Sequence, residues 1–163
     1  MRIRKEKETD RDQITQLHYQ VFNEPEEGTI VDNLRKNNNL TISLVYEIDG
    51  NIVGHIAYSP VYKEQEIIGL GLAPIAVLPE YQNQGIGSAL IRYGNSVALS
   101  IGYKKIFVLG LPDYYSRFGF HMARKYNYFS KFDLEGDHFM IMGDDLENEA
   151  ERVFVNYCTE FAI

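Results

Sequence analysis

The chain has 163 residues, 45% of them apolar and 24% charged, with a formal net charge of −7. That composition excludes extended disorder, and the length suits one domain, 1–163, large enough to bury most of its apolar surface. No apolar run approaches the roughly 18–20 residues of a membrane span, the start Met1-Arg-Ile-Arg-Lys-Glu is no secretory signal, and the lone Cys158 permits no internal disulfide; a soluble cytoplasmic protein is expected.

A short extended segment around Ile3 comes first, and Thr9-Asp10 offers N-cap chemistry for a helix over 10–22. Ile14, Leu17, His18, Val21 and Phe22 recur there at helical spacing. Asn23 to Gly28 reads as an acidic loop, followed by a shorter helix from Ile30 to Lys36. Thr41–Ile48 and Ile52–Tyr58 are rich in β-branched and aromatic residues, and Asp49-Gly50 between them is a hairpin signal. Glu66–Val77 is nearly continuous apolar sequence and reads as a central strand, yet it contains Pro74. Proline has no N–H for a ladder, so a bulge or an interrupted ladder is expected there, leaving backbone groups free for a ligand.

Pro79-Glu80-Tyr81 ends that strand. From Gln84 to Ile101, Ile86, Leu90, Tyr93, Gly94 and Val97 form one helical stripe, with Gly102 as its stop. Lys105–Leu109 is a short buried strand, Pro112–Phe118 a short helix, and Gly119 its stop. Phe120–Ala123, Phe139–Met142 and Arg152–Tyr157 read as antiparallel strands joined by acidic turns. The expected class is α/β (α+β), with one mixed, mostly antiparallel sheet and flanking helices.

The stretch Gln82-Asn83-Gln84-Gly85-Ile86-Gly87-Ser88 lies between a strand and the first turn of a long helix. Two glycines two apart let backbone approach a bulky anion, and the free N–H groups and positive dipole end of the helix face it. A pyrophosphate fits that geometry. A P-loop does not, because no Gly-Lys-Ser/Thr is present; a dinucleotide fingerprint does not, because Leu90 holds the third-glycine position and Phe107 the acidic one. Gly69-Leu70-Gly71 sits inside a strand and fails as well.

The segment Leu72–Ile91, through Gln82, Gly85 and Gly87, resembles the cofactor strand, pyrophosphate loop and helix of the GNAT superfamily of N-acetyltransferases. Tyr115, Gly119 and Phe120 match that family's Tyr-x-x-x-Gly-Phe element. The resemblance implies a splayed parallel pair, Glu66–Val77 and Lys105–Leu109, opening as a V for acetyl-CoA. The pantetheine arm would pair with Ile75, Ala76 and Val77, and the pyrophosphate would meet N–H groups from Gln82 through Ser88. Arg92, Arg117 or Lys125 would screen the 3′-phosphate. Tyr115 is implied as general acid for the departing thiolate, with Tyr114 as fallback, and an N–H of Ala76 or Val77 would polarise the carbonyl.

For the base, Glu66 on the cofactor strand, His55 on its neighbour and a water relay all stay open. Cys158 reads as structural. With His18, His55, His121 and His138 lacking ligand spacing, no metal is expected.

The net charge is unevenly spread: −5 over residues 1–80, +6 over 81–132 and −8 over 133–163. In the implied fold the acceptor enters beside the two acidic regions, with Glu24, Glu26 and Glu27 on one side. Tyr126, Tyr128, Phe129 and Phe132 are candidates to line its pocket. A cationic amine, small or peptide-borne, is therefore the expected acceptor. Nucleic acid is not expected, since no basic recognition helix appears, and a homodimer stays open. The competing reading is an acyl-CoA-binding sensor or interaction module with no use for Tyr115.

Overall fold

The computed structural model of the protein describes residues 2–23 and 25–161, without side chains at 25–28. Strand β1 (Arg2–Lys5) leads through a 3-10 turn into helix α1 (Arg11–Phe22), and α2 spans Pro25–Lys36. Then come β2 (Ile42–Ile48), β3 (Asn51–Lys63), β4 (Glu66–Val77), α3 (Ile86–Ser100), β5 (Lys105–Leu109) and α4 (Pro112–Tyr115). The chain finishes with β6 (His121–Met122), β7 (Tyr128–Ser130), β8 (Phe139–Gly143) and β9 (Val153–Tyr157).

The strands form one open mixed sheet in the order β1-β2-β3-β4-β5-β8-β6, with β9 added to the far end of β3 and β7 to β9. Helix α3 covers one face and packs Leu90 and Ile91 on Leu70, Leu72 and Ile106. Helices α1 and α2 cover the other, with Ile14, Leu17 and Val31 against Val45, Ile52 and Ala76. The β2–β3 hairpin turns at Asp49 and Gly50, both with positive φ (50° and 82°), as a tight type I′-like turn requires.

The parallel pair β4–β5 is joined only at Leu70 with Ile106 and Gly71 with Phe107, after which the two strands separate. On its other edge β4 slips by one residue, since Ile56 opposes Ile75 but Tyr58 opposes Leu72. The extra residue falls at Ala73-Pro74, as expected from the proline. Its consequence is a change of face. Leu72 packs toward α3, and beyond the bulge Ile75 and Val77 do so too, while Ala76 faces α1.

Several expectations need correction. The Asn23–Gly28 segment is not a six-residue loop: Asn23, in the left-handed region at φ 54°, ends α1, and α2 begins at Pro25. Asp10 does not cap α1 with its side chain. It accepts from the Lys7 N–H (2.6 Å) and from the Arg4 guanidinium (2.6 Å). Strand β3 runs on through Pro60 to Lys63 and turns back at Glu64, whose φ is 55°. The three C-terminal strands expected from the sequence do pair antiparallel, β6 with β8, β8 with β5 and β9 with β3, but a further strand, β7, is added and pairs parallel with β9. Helix α4 stops at Tyr115, and Ser116–Phe118 continues as a 3-10 turn.

Candidate active site

Where β4 leaves β5, the sheet opens into a cleft of about 540 Å³. One wall is the backbone of Ile75, Ala76 and Val77; the floor is Gln82, Asn83, Gly85, Ile86, Gly87 and Ser88; Phe22, Tyr114 and Arg117 close the far side. The loop is shaped by its own side chains. Gln82 donates from Nε2 to the Val77 carbonyl (2.9 Å), and Gln84 donates to that of Glu80 (3.2 Å). Asn83 and Gly85 have positive φ (62° and 86°), which turns the chain sharply into α3.

Helical bonding starts with the Ala89 N–H on the Gly85 carbonyl (3.0 Å), so the N–H groups of Ile86, Gly87 and Ser88 have no helical acceptor. They end in a cleft where a Cβ on Gly87 would sit 3.4 Å from Tyr114 Oη. A free N–H cradle beside a residue kept bare of side chain fits a phosphate group.

Of the residues expected to hold the donor, all but two line this cleft. Gln84 braces the loop from outside it, and Tyr115 lies next door. Gln82 contributes shape more than donors, because its N–H bonds to the Pro79 carbonyl at 3.3 Å. Among the three basic candidates, Arg117 lines the cleft, with its guanidinium carbon 5.2 Å from the Tyr114 ring centroid. Arg92 lies over Phe118 (4.9 Å). Lys125 is exposed on a 3-10 turn that does not reach the cleft.

A second pocket, about 450 Å³, joins the first across Phe22 and Ile75. Tyr115 lines it, and its ring meets Tyr114 edge-on with centroids 5.0 Å apart, so the two tyrosines serve different compartments. Tyr115 is 9% exposed, and burial with the neighbouring Tyr114 phenol pushes its pKa up to about 12. It is therefore fully protonated at neutral pH. Phe132, Tyr157 and Phe161 line the same pocket, whereas Tyr126, Tyr128 and Phe129 do not. Tyr157 and Phe161 escaped sequence reasoning.

Neither candidate base reaches these pockets. Glu66 is exposed at the start of β4 opposite Lys63, and ten extended residues put it about 33 Å along the strand from Ala76. His55 is wholly buried on the α1 side. Its Nδ1 lies 2.7 Å from His18 Nε2 and its Nε2 2.8 Å from Ser43 Oγ, which in turn donates to Glu6.

Of the nine carboxylates in 133–163, four are engaged within the protein. Asp133 accepts from the Phe139 N–H (3.0 Å), Asp137 pairs with Arg124 (2.5 Å), Glu149 accepts from Tyr128 Oη (2.9 Å) and Glu160 from Asn39 (2.9 Å). Glu24 and the side chains of Glu26 and Glu27 lie outside the described residues. Cys158 is buried, with its thiol on the Pro60 carbonyl (3.3 Å), in keeping with a structural residue. Among the described residues no group of histidine, cysteine and carboxylates could hold a metal, and no helix is long and apolar enough to cross a membrane.

Known proteins share this arrangement. The acetyltransferase (GNAT) domain family matches residues 39–122. The uncharacterized N-acetyltransferase YhbS of Escherichia coli K12 is 36% identical over 125 residues, 76% of this chain and 75% of its own. The crystal structure of YhbS in complex with CoA superposes with a TM-score of 0.93 at 31% identity, covering 99% of this chain and 92% of that one. A GNAT family acetyltransferase of Brucella melitensis in complex with acetyl-CoA gives 0.83 at 35% identity, covering 98% and 97%. With family, sheet and donor cleft in agreement, the chain belongs to the GNAT family and is an N-acetyltransferase using acetyl-CoA as its donor.

Proposed function

We propose that the acetyl group passes directly to a primary amine, without a covalent enzyme intermediate, at the junction of the two pockets. Ile75, Ala76 and Val77 would pair their unladdered backbone with the pantetheine arm. The N–H groups of Ile86, Gly87 and Ser88 would bind the pyrophosphate, and Arg117 would supply the nearby positive charge. An N–H of Ala76 or Val77 would polarise the thioester carbonyl. As the amine nitrogen bonds to the carbonyl carbon and the carbon–sulfur bond breaks, Tyr115 gives its phenolic proton to sulfur and recovers one released by nitrogen.

The observation carrying this reading is the position of Tyr115, buried in the pocket that adjoins the donor cleft and edge-on to Tyr114, which lines that cleft. Cytoplasmic location is part of the proposal, supported by the single, unpaired Cys158. Thermal shift with acetyl-CoA, ATP and NADH, followed by thiol release with amines, tests it. Acetyl-CoA alone is expected to stabilise, and Tyr115→Phe to cut kcat by about 10²-fold or more with donor affinity unchanged. No stabilisation by acetyl-CoA would overturn it.

A further inference from the structure

The pocket on the acceptor side has a one-sided chemistry. Among the described residues every lining side chain is aliphatic, aromatic or proline, and the side-chain polar atoms are the hydroxyls of Tyr115 and Tyr157. Tyr157 Oη is shut off from solvent and has no hydrogen-bond partner among the described residues. Its ring is fixed against Phe132 and Phe161, with centroids 6.0 and 5.6 Å away. It also lies over Gly71, where a Cβ would come within 2.6 Å of Cε2. Gly71 is the last paired residue before β4 and β5 part, so Tyr157 stands at the apex of the V. Burial and the Tyr115 phenol raise its pKa, which keeps it neutral.

We infer that the acceptor is a monoamine on an apolar, ring-sized body, held by the aliphatic and aromatic lining of this pocket. The inference rests on the acetyl-transfer reading above and adds the acceptor class to it. A small apolar pocket with few convergent polar groups is the usual form of a ligand site.

The same lining accounts for deprotonation without Glu66 or His55. An apolar environment penalises the ammonium form, so the entering amine loses one proton to water before attack. The second leaves nitrogen as the new carbon–nitrogen bond forms, replacing the one Tyr115 gives to sulfur. A polyamine would have to bury further charges with no carboxylate in the described lining. Lys131 adds a positive charge 5.4 Å from the centroid of Phe132, one of the rings in that lining.

Thiol release from acetyl-CoA is to be compared for 2-phenylethylamine, spermidine and glucosamine with the full chain, alongside calorimetric titration of 2-phenylethylamine into the CoA-loaded protein. The expected result is kcat/KM at least about tenfold higher for 2-phenylethylamine than for the other two. Preference for spermidine or glucosamine, or no binding of 2-phenylethylamine to the CoA complex, overturns the inference while leaving acetyl-CoA binding intact. Failure of acetyl-CoA itself to bind overturns the underlying reading and takes this one with it.

Discussion

Gly110 and Tyr115 are mutually dependent: a Cβ on Gly110 would lie 2.2 Å from Tyr115 Cε2 and 2.6 Å from Cδ2. Neither side can give easily. The Gly110 N–H is tied to the His138 carbonyl (2.9 Å), and the Tyr115 ring is held edge-on by Tyr114 and Phe120. Gly110→Ala must therefore turn the phenol away from its place in the pocket beside the donor cleft. Expected is a loss of kcat of about 10²-fold, close to that of Tyr115→Phe, with acetyl-CoA affinity changed less than about twofold. Steady-state thiol release together with donor titration reads both quantities, and an unchanged kcat would separate Tyr115 from the chemistry.

The two glycines of the loop should respond with opposite signs in stability. Gly87 has helical backbone and room for a methyl group, which would project between Tyr114 Oη (3.4 Å) and Val77 Cγ2 (3.8 Å). Alanine favours a helix over glycine by about 1 kcal/mol, so Gly87→Ala should hold or raise Tm. The same methyl enters the space proposed for the pyrophosphate, and acetyl-CoA binding should weaken at least about tenfold. Gly85 sits at φ 86°, where Gly85→Ala meets no neighbour but costs about 1–2 kcal/mol in backbone strain. Differential scanning calorimetry with and without acetyl-CoA distinguishes the two.

The donor cleft was legible because its parts are local in sequence. A proline inside an apolar strand forces the break, and Gly-x-Gly before a helical stripe leaves N–H groups uncovered. The acceptor side depends on contacts far apart in the chain. Val153, Val155 and Tyr157 alternate inward as a strand should. Nothing local says that β9 adds to β3 at Val61 and Tyr62 and so brings Tyr157 over Gly71.

Gly69-Leu70-Gly71, which fails as a phosphate motif, thereby acquires a packing role: a Cβ on Gly69 would collide with the Lys105 carbonyl oxygen at 2.5 Å. His55 was drawn toward catalysis by its strand, but the residue that defines it is His18, on a helix 37 positions earlier. The start of α2 carries a helix signal of its own. Pro25 followed by Glu26 and Glu27 is the proline-first, acid-rich opening of a helix.

The His18–His55 pair makes a prediction about acid. Ser43 has one hydroxyl proton and spends it on Glu6, so it accepts from His55 Nε2–H; His55 Nδ1 then accepts from His18 Nε2–H. Both rings are neutral in this arrangement. Burial lowers the His18 pKa to about 4, and burial with the His18 and Arg35 charges lowers that of His55 well below the ordinary value. The groups around the pair are Glu6, which Arg35 grips at 2.9 Å, and Asp32, which Arg35 also holds at 2.6 Å.

An unfolded chain protonates both histidines near pH 6.5 while the folded chain resists until about pH 4 at His18. Stability is thus fully present above about pH 6.5 and is lost as pH falls from there toward 4, with a limiting slope of about 1.4 kcal/mol per pH unit for each histidine. His18→Gln keeps a donor for His55 Nδ1 and removes one titration. Urea unfolding at pH 7.5, 6 and 5 should show a steep fall in the wild type and a shallower one in His18→Gln. Parallel profiles would mean that His18 is protonated in the folded protein.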